Sequence, residues 1–310
     1  MGLITIESAR LRLSVDPEVG AGIADFSALG PGKLFYPVMR RAAPGETNPS
    51  SLASFFMAPW CNRIAGARFN FGGSERVLRP TTADGNTQHG DVRKRAWTIL
   101  DRTPMTARLR FDSREAEEVN WPWAFSCEAR YELTDGALEL ELMVRNEDRE
   151  AFPAGCGHHP YFVRRLWNDA DVLQIKAGVR GRYALSKGCA TGPAEPDALS
   201  GRLATAGPAP DTHTDAVFDG FGGLAELHWP ASRATLRIRA SANMGHLVVF
   251  VPHADPSTPS PLPYVAIEPQ TQVNGGLNLL GDRGASYTGT VVLEPGSALA
   301  TTCRFEFETT

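Results

Sequence analysis

Apolar residues recur at every second position in stretch after stretch of this chain. From Leu138 to Val144 the alternation is unbroken, with Leu138, Leu140, Leu142 and Val144 on one face. Leu236 and Ile238 repeat it, and so do Phe305 and Phe307 near the C-terminus. Ala107–Phe111 and Ser126–Leu133 read as strands too. A period of two buries one face of a strand and wets the other, as antiparallel sheets require. Leu247–Val251 is continuously apolar and predicts a strand covered on both faces. Thr134-Asp135-Gly136 between two alternating runs predicts a hairpin. No amphipathic pattern longer than about three helical turns is present. The expected fold is all-β, a large antiparallel β-sandwich, with residues 1–310 as a single domain.

Three stretches read as loops: Ala42–Ser51, Lys187–Asp211 and the proline-rich Pro252–Pro263. The second is the better candidate for a domain boundary. The sheet pattern is the same on both sides of it, which favours a long surface excursion within one domain.

With 310 residues the chain can bury a sizeable core. A net charge of −4 provides no global basic field, so no nucleic-acid partner is expected. No apolar run reaches the roughly 18 residues of a membrane span. The opening Met1-Gly2-Leu3-Ile4-Thr5-Ile6-Glu7 reads neither as a signal peptide nor as a myristoylation site. The five cysteines are widely spaced and form no CxxC, so reduced thiols in a cytoplasmic protein are expected, without a zinc ribbon.

The chemistry-bearing residues gather in turn-like or strand-end contexts. Tyr264-Val-Ala-Ile-Glu-Pro-Gln delivers one carboxylate, Glu268, directly before Pro269. Proline lacks an N–H, so Glu268 is expected at the last position of a strand, with Pro269 turning the chain out of the sheet. Asn62 and Arg63 follow the apolar Leu52–Ala58 run and offer donors suited to hydroxyls or anions. His89 lies in a polar loop beside Gly90, and the Arg93-Lys94-Arg95 run after it reads as solvated surface, with an anion contact as the lesser reading. His158 and His159 are neighbours, so in an extended segment only one of them faces a given cleft. Such neighbours converge poorly on a metal, and no metal is expected. Asp215 and Asp219 are candidates for binding hydroxyls, although turn residues are the plainer reading.

A carboxylate and an imidazolium in one pocket can open a cyclic hemiacetal. The base takes the proton of the C1 hydroxyl while the acid protonates the ring oxygen. Rotation about C1–C2 and reclosure then give the other anomer, with no cofactor.

The chain resembles the aldose 1-epimerase (galactose mutarotase) family. The resemblance rests on Asn62-Arg63-Ile64 with Gly66 and Phe69, on His89-Gly90, on His159-Pro160-Tyr161, on Asp215 with Phe218, and on Glu268-Pro269-Gln270, all in the family's order. It implies a galactose-mutarotase-like supersandwich with a concave sugar cleft and a small-molecule aldose as the partner, in a monomer or homodimer. It further implies Glu268 as general base, His159 as general acid and His89 as a second histidine at the ring-oxygen or hydroxyl side. Arg63 and Asp215 would hold hydroxyls, Asn62 would place its loop, and Gln270 would shape the Glu268 side. The family's usual Gly-Gly and Gly-Phe after the first histidine are replaced here by Gly90-Asp91 and Arg93-Lys94-Arg95, which leaves the sugar open. Alternatives are a mutarotase of a C6-phosphorylated or otherwise anionic hexose, a non-catalytic sugar-binding protein, and a glycoside hydrolase using Asp215 and Glu268, whose carboxyls would then stand about 5–9.5 Å apart.

Overall fold

A computed structural model describes residues 2–255, 257 and 260–309. The alternating runs pair with one another. Thr106–Asp112, Phe125–Leu133, Ala137–Asn146, Ala298–Thr309 and Ala234–Ala240 lie side by side, in that order, within a nine-stranded antiparallel sheet of the described residues. Register places Ala107, Tyr131, Leu140 and Cys303 in one row across the sheet, and all four are buried. The next row holds Arg108, Arg130, Glu141 and Thr302 on the opposite, wetter face. The hairpin forms as its sequence predicts: the Thr134 N–H donates to the Ala137 carbonyl at 2.8 Å, and Leu133 faces Leu138.

A second, eight-stranded sheet packs against the first. Its order runs from Cys189–Glu195 through Gly181–Ser186, Thr214–Asp219, His246–Val251 and Tyr264–Gln270 to Gly157–His158 and Phe56–Met57. Tyr161–Val163 also pairs with Tyr264–Gln270. One face of this sheet sends Phe218, Leu247, Val249, Val265 and Ile267 into the shared core. Each such side chain stabilises the sandwich by about 1.5–3 kcal/mol. The His246–Val251 strand is covered on both faces, as its unbroken apolar run requires. A four-stranded sheet beginning at Ile4–Glu7 sends Ile4, Ile6, Leu11, Leu13 and Phe26 into the same core.

Three expectations need correction. Pro269 does not end its strand: Tyr264–Gln270 continues through it, and Pro269 pairs with Leu247. On the other side, Ile267 and Thr271 donate their N–H groups to the carbonyls of Pro160 and Cys156. Position 269 falls between them, where the neighbouring chain breaks between Gly157–His158 and Tyr161–Val163, so a missing N–H costs little there. Lys187–Asp211 is not a bare loop but contains the strand Cys189–Glu195 and the helix Ala198–Thr205, capped by Asp197 and Ser200. Asp215 and Asp219 are strand residues of Thr214–Asp219, not turn residues. The expected loop at Pro252–Pro263 lies partly outside the described residues, and within them a bridge joins His253 to Pro261.

The longest helices among the described residues have eight residues, in keeping with the weak helical patterning. None is long and apolar enough to cross a membrane. The five cysteines are free and buried.

Candidate active site

The outer face of the eight-stranded sheet carries the polar groups. Sheet register decides which of them meet. Tyr264–Gln270 places Ala266 opposite Tyr161 and Gln270 opposite Gly157, so Glu268 falls level with His159. His159 Nε2 lies 3.1 Å from Glu268 Oε1. Both residues are almost wholly buried, at 4% and 1% exposure. His159 is further fixed by its N–H, which donates to the Phe55 carbonyl, and by stacking of its ring on Phe55 at 4.4 Å. Glu268 Oε2 and His159 Nδ1 are buried with no hydrogen-bond partner among the described residues.

Burial dominates the protonation of this pair. It pushes the Glu268 carboxyl well above the usual range, and the nearby Asp215 charge adds to the effect. It pushes the His159 imidazole well below its usual value, with the Arg93 charge acting in the same direction. A neutral pair sharing one proton is therefore the favoured empty state.

His158 points to the other face, as strand geometry requires. It is fully buried against Phe56, with ring centroids 5.4 Å apart, and burial lowers its pKa to about 3. Neither ring nitrogen has a hydrogen-bond partner among the described residues.

Opposite the pair, the chain from Phe56 to Ile64 and the Asn86–Gly90 loop form a second wall. Asn62 and His89 hold positive φ angles of 47° and 64°, and the His89 N–H donates to the Asn62 carbonyl at 2.7 Å. Gly90 is required here, because a Cβ would lie 2.0 Å from the Ala58 carbonyl oxygen. The His89 ring meets His159 edge-on at 5.3 Å. Its Nε2 is contacted by the Gln88 amide nitrogen at 2.5 Å, and its Nδ1 lies 3.1 Å from Met57 sulfur. Burial holds His89 neutral.

Arg63 donates to Gln88 Oε1 at 3.3 Å. Above it passes the two-residue turn Lys187-Gly188, with φ of 48° and 75°, joining Gly181–Ser186 to Cys189–Glu195. The turn is tied down by Asn86 and Asn274, whose amides donate to the Lys187 and Gly188 carbonyls. Asp215 enters from the Thr214–Asp219 strand. Its residue surface stays open, yet the cleft walls displace enough water to raise its carboxyl, with the Arg63 charge opposing that rise.

These groups enclose a cavity of about 270 Å³ that Asn62, Arg63, His89, His159, Asp215 and Glu268 all line. That volume is close to the lower end for small-molecule sites. Gln270 does not line it. Gln270 follows Glu268 on the same strand face, fully buried, and its amide donates to Asn274 Oδ1 at 3.1 Å. The cavity also includes Phe55, Tyr161, Phe250, Gln88, Ser50 and Arg93. Of these, Arg93 corrects the sequence expectation most: it is 9% exposed, not solvated surface. Arg93 lies beside the fully buried Val92 in the short 3₁₀ turn Val92–Lys94, and no local sequence pattern marks it as facing inward. A larger groove, about 620 Å³, runs past Arg41, Arg164 and Tyr264, but it contains no acid–base pair. Its Arg41 and Arg164 are paired with Asp25 and Asp211.

An antiparallel supersandwich with a carboxylate–imidazole pair on the open face of one sheet places this molecule among the galactose mutarotase-like folds. The chain belongs to the aldose 1-epimerase family, whose model matches residues 2–306. Uncharacterized protein YphB of Escherichia coli K12 is 28% identical over 122 residues, which is 38% of this chain and 40% of that protein. The match thus spans less than half the length of the curated relative. Among solved structures, a provisionally assigned aldose 1-epimerase of E. coli K12 superposes with a TM-score of 0.85 at 20% identity, covering 100% of this chain and 99% of that one. A galactose mutarotase-like protein of Clostridium acetobutylicum gives 0.85 at 18% identity, covering 99% and 95%. The GalM/aldose epimerase homologue of C. elegans gives 0.81 at 15% identity, covering 100% and 99%. At these identities the likeness is one of fold.

Proposed function

We propose that the protein interconverts the α and β anomers of an aldose by acid–base ring opening and reclosure. The observation that carries this reading is the 3.1 Å contact between His159 Nε2 and Glu268 Oε1 inside a small buried cleft. A sugar entering the cleft replaces that contact with its own C1 hydroxyl on Glu268 and its ring oxygen on His159. Glu268, as carboxylate, takes the hydroxyl proton while imidazolium His159 protonates the ring oxygen. The C1–O5 bond breaks, C1 becomes a carbonyl, and the catalytic pair ends neutral. Rotation about C1–C2 and the reverse exchange close the other anomer.

Both protonation forms of the pair carry no net charge, so the buried cleft penalises neither by a full unpaired ion. Arg63 and Asp215 hold ring hydroxyls in this reading, Asn62 sets the loop that carries Arg63, and His89 supports the ring-oxygen side. Gln270 acts from behind the cleft, bracing the strand through Asn274. Phe55, Tyr161 and Phe250 give the apolar sugar face a surface to rest on. Cleft residues run from Ser50 to Glu268, so residues 1–310 are proposed to act as one domain.

Polarimetry on freshly dissolved α-anomers tests the function. The expected result is a decay to the equilibrium rotation that accelerates in proportion to protein concentration. Decay at the spontaneous rate for every aldose tried would overturn the reading.

A further inference from the structure

The short pairing of Arg63–Ile64 with Thr87–Gln88 sets Arg63 directly opposite Gln88, so their side chains leave the same face. The result is a row of hydrogen bonds that all run one way. Arg63 Nη1 donates to Gln88 Oε1 at 3.3 Å. A guanidinium only donates, so it holds the carboxamide oxygen on its own side and turns the NH2 group to the other. There Gln88 Nε2 lies 2.5 Å from His89 Nε2. An amide NH2 also only donates, so His89 Nε2 is the acceptor and carries no proton. The far side of the ring agrees independently. His89 Nδ1 lies 3.1 Å from the Met57 sulfur, and a thioether only accepts, so Nδ1 carries the proton.

His89 is therefore a neutral imidazole with both nitrogens engaged, and its one proton is committed to Met57. Burial opposes a second proton, and so do the charges of Arg93 and Arg63 nearby. His159 is placed differently. Its Nε2 meets Glu268, and its Nδ1 has no hydrogen-bond partner among the described residues. The two rings meet edge-on at 5.3 Å, so an imidazolium at His89 would oppose one at His159. Resting on the mutarotase reading above, we infer that Gln88 is a positioning residue: oriented by Arg63, it fixes the Nδ1–H form of His89 and so leaves His159 as the sole acid for the ring oxygen. The second histidine of the cleft is then not a second acid. It is a fixed acceptor whose edge supports the His159 ring, and Arg63 sets its tautomer as well as meeting sugar hydroxyls.

The test reads the His89 ring directly, by long-range proton–nitrogen NMR of protein labelled with nitrogen-15 in its histidines. The His89 signals are assigned by their absence in His89→Asn. At neutral pH the wild type should show a protonated Nδ1 and a bare Nε2. A proton on Nε2, or a charged ring, overturns the assignment without any variant. Gln88→Glu replaces the donor with a group that only accepts, so a proton should appear on Nε2; an unchanged tautomer there removes Gln88 from the role. Gln88→Met keeps the length and removes the donor. If Gln88→Glu does not fold, Gln88→Met must shift the Nε2 signal, and an unmoved signal counts against Gln88 in the same way. Polarimetry on glucose and galactose gives the second readout. In Gln88→Glu kcat should fall by about 10-fold or more, the scale of a like-charge repulsion in a partly buried site. A relocated proton with kcat unchanged or raised overturns the exclusive role of His159. If the wild type accelerates the mutarotation of no aldose, the mutarotase reading fails and takes the role of His159 with it, while the spectrum still decides the role of Gln88.

Discussion

His159, in the break between Gly157–His158 and Tyr161–Val163, is level with Glu268 on the strand beside it, and their side chains meet at 3.1 Å. The geometry comes from backbone register, so it does not depend on a flexible loop finding its place. The same register sends His158 and Pro269 to the opposite face. A one-residue slip would turn His159 away from the cleft and put His158 in its place.

Activity should require one proton on the pair. A second proton gives imidazolium beside carboxylic acid, and loss of the last gives carboxylate beside neutral imidazole. Burial opposes both charged states. The acid limb of kcat should therefore lie below the ordinary imidazole value, and the alkaline limb above the ordinary carboxylate value. A pH profile of kcat checks this. An acid limb at or above about 6.5, or an alkaline limb at or below about 4.3, contradicts it.

His158 predicts an acid-sensitive fold. Its folded pKa of about 3 lies below the unfolded value of about 6.5, so below pH 6.5 the unfolded chain binds a proton that the native chain does not. Stability is then lost as pH falls, by up to about 1.4 kcal/mol per unit across that window. His89 and His159 act in the same direction. Glu268 acts oppositely: its raised value costs stability as pH rises above about 4.3, until pH passes the raised value. His158→Phe should flatten the acid side of a stability-against-pH curve measured by urea titration. An unchanged acid slope would count against a buried neutral His158.

Gly188 sets the space above Arg63. A Cβ there would lie 2.1 Å from Arg63 Nε, on a backbone with φ of 75°. Gly188→Ala should displace the guanidinium and raise KM about 10-fold or more, as expected when a positioned hydroxyl contact is lost. Gly192→Ala, where a Cβ meets nothing within 4 Å, is the control. Equal KM values for the two variants would remove Arg63 from substrate binding.

The sheet framework was legible because alternation is a local signal. Leu138–Val144 and Ala234–Ala240 each carry their burial pattern in their own residues, and the Thr134-Asp135-Gly136 turn sets its hairpin. The opposition of His158 and His159 followed from the same period. What escaped depends on partners distant in sequence. Pro269 is tolerated in its strand because the neighbouring chain is broken at that point. Arg93 is held inward by Ser50, some forty residues earlier. The strand Cys189–Glu195 is polar and proline-containing, and it forms as the edge of a sheet. The family resemblance supplied the roles of Glu268 and His159, which no local pattern encodes.

The central claim is that Glu268 moves the proton of the C1 hydroxyl. Glu268→Gln keeps the shape and a hydrogen-bonding group but cannot serve as the base. The decisive measurement is the mutarotation rate of this variant at saturating sugar, with sugar binding followed by calorimetry on the same sample. The account predicts retained binding and a loss of at least about 10²-fold in kcat, the usual scale for a positioned proton-transfer group. A variant that binds sugar and turns it over at near wild-type rate would contradict it.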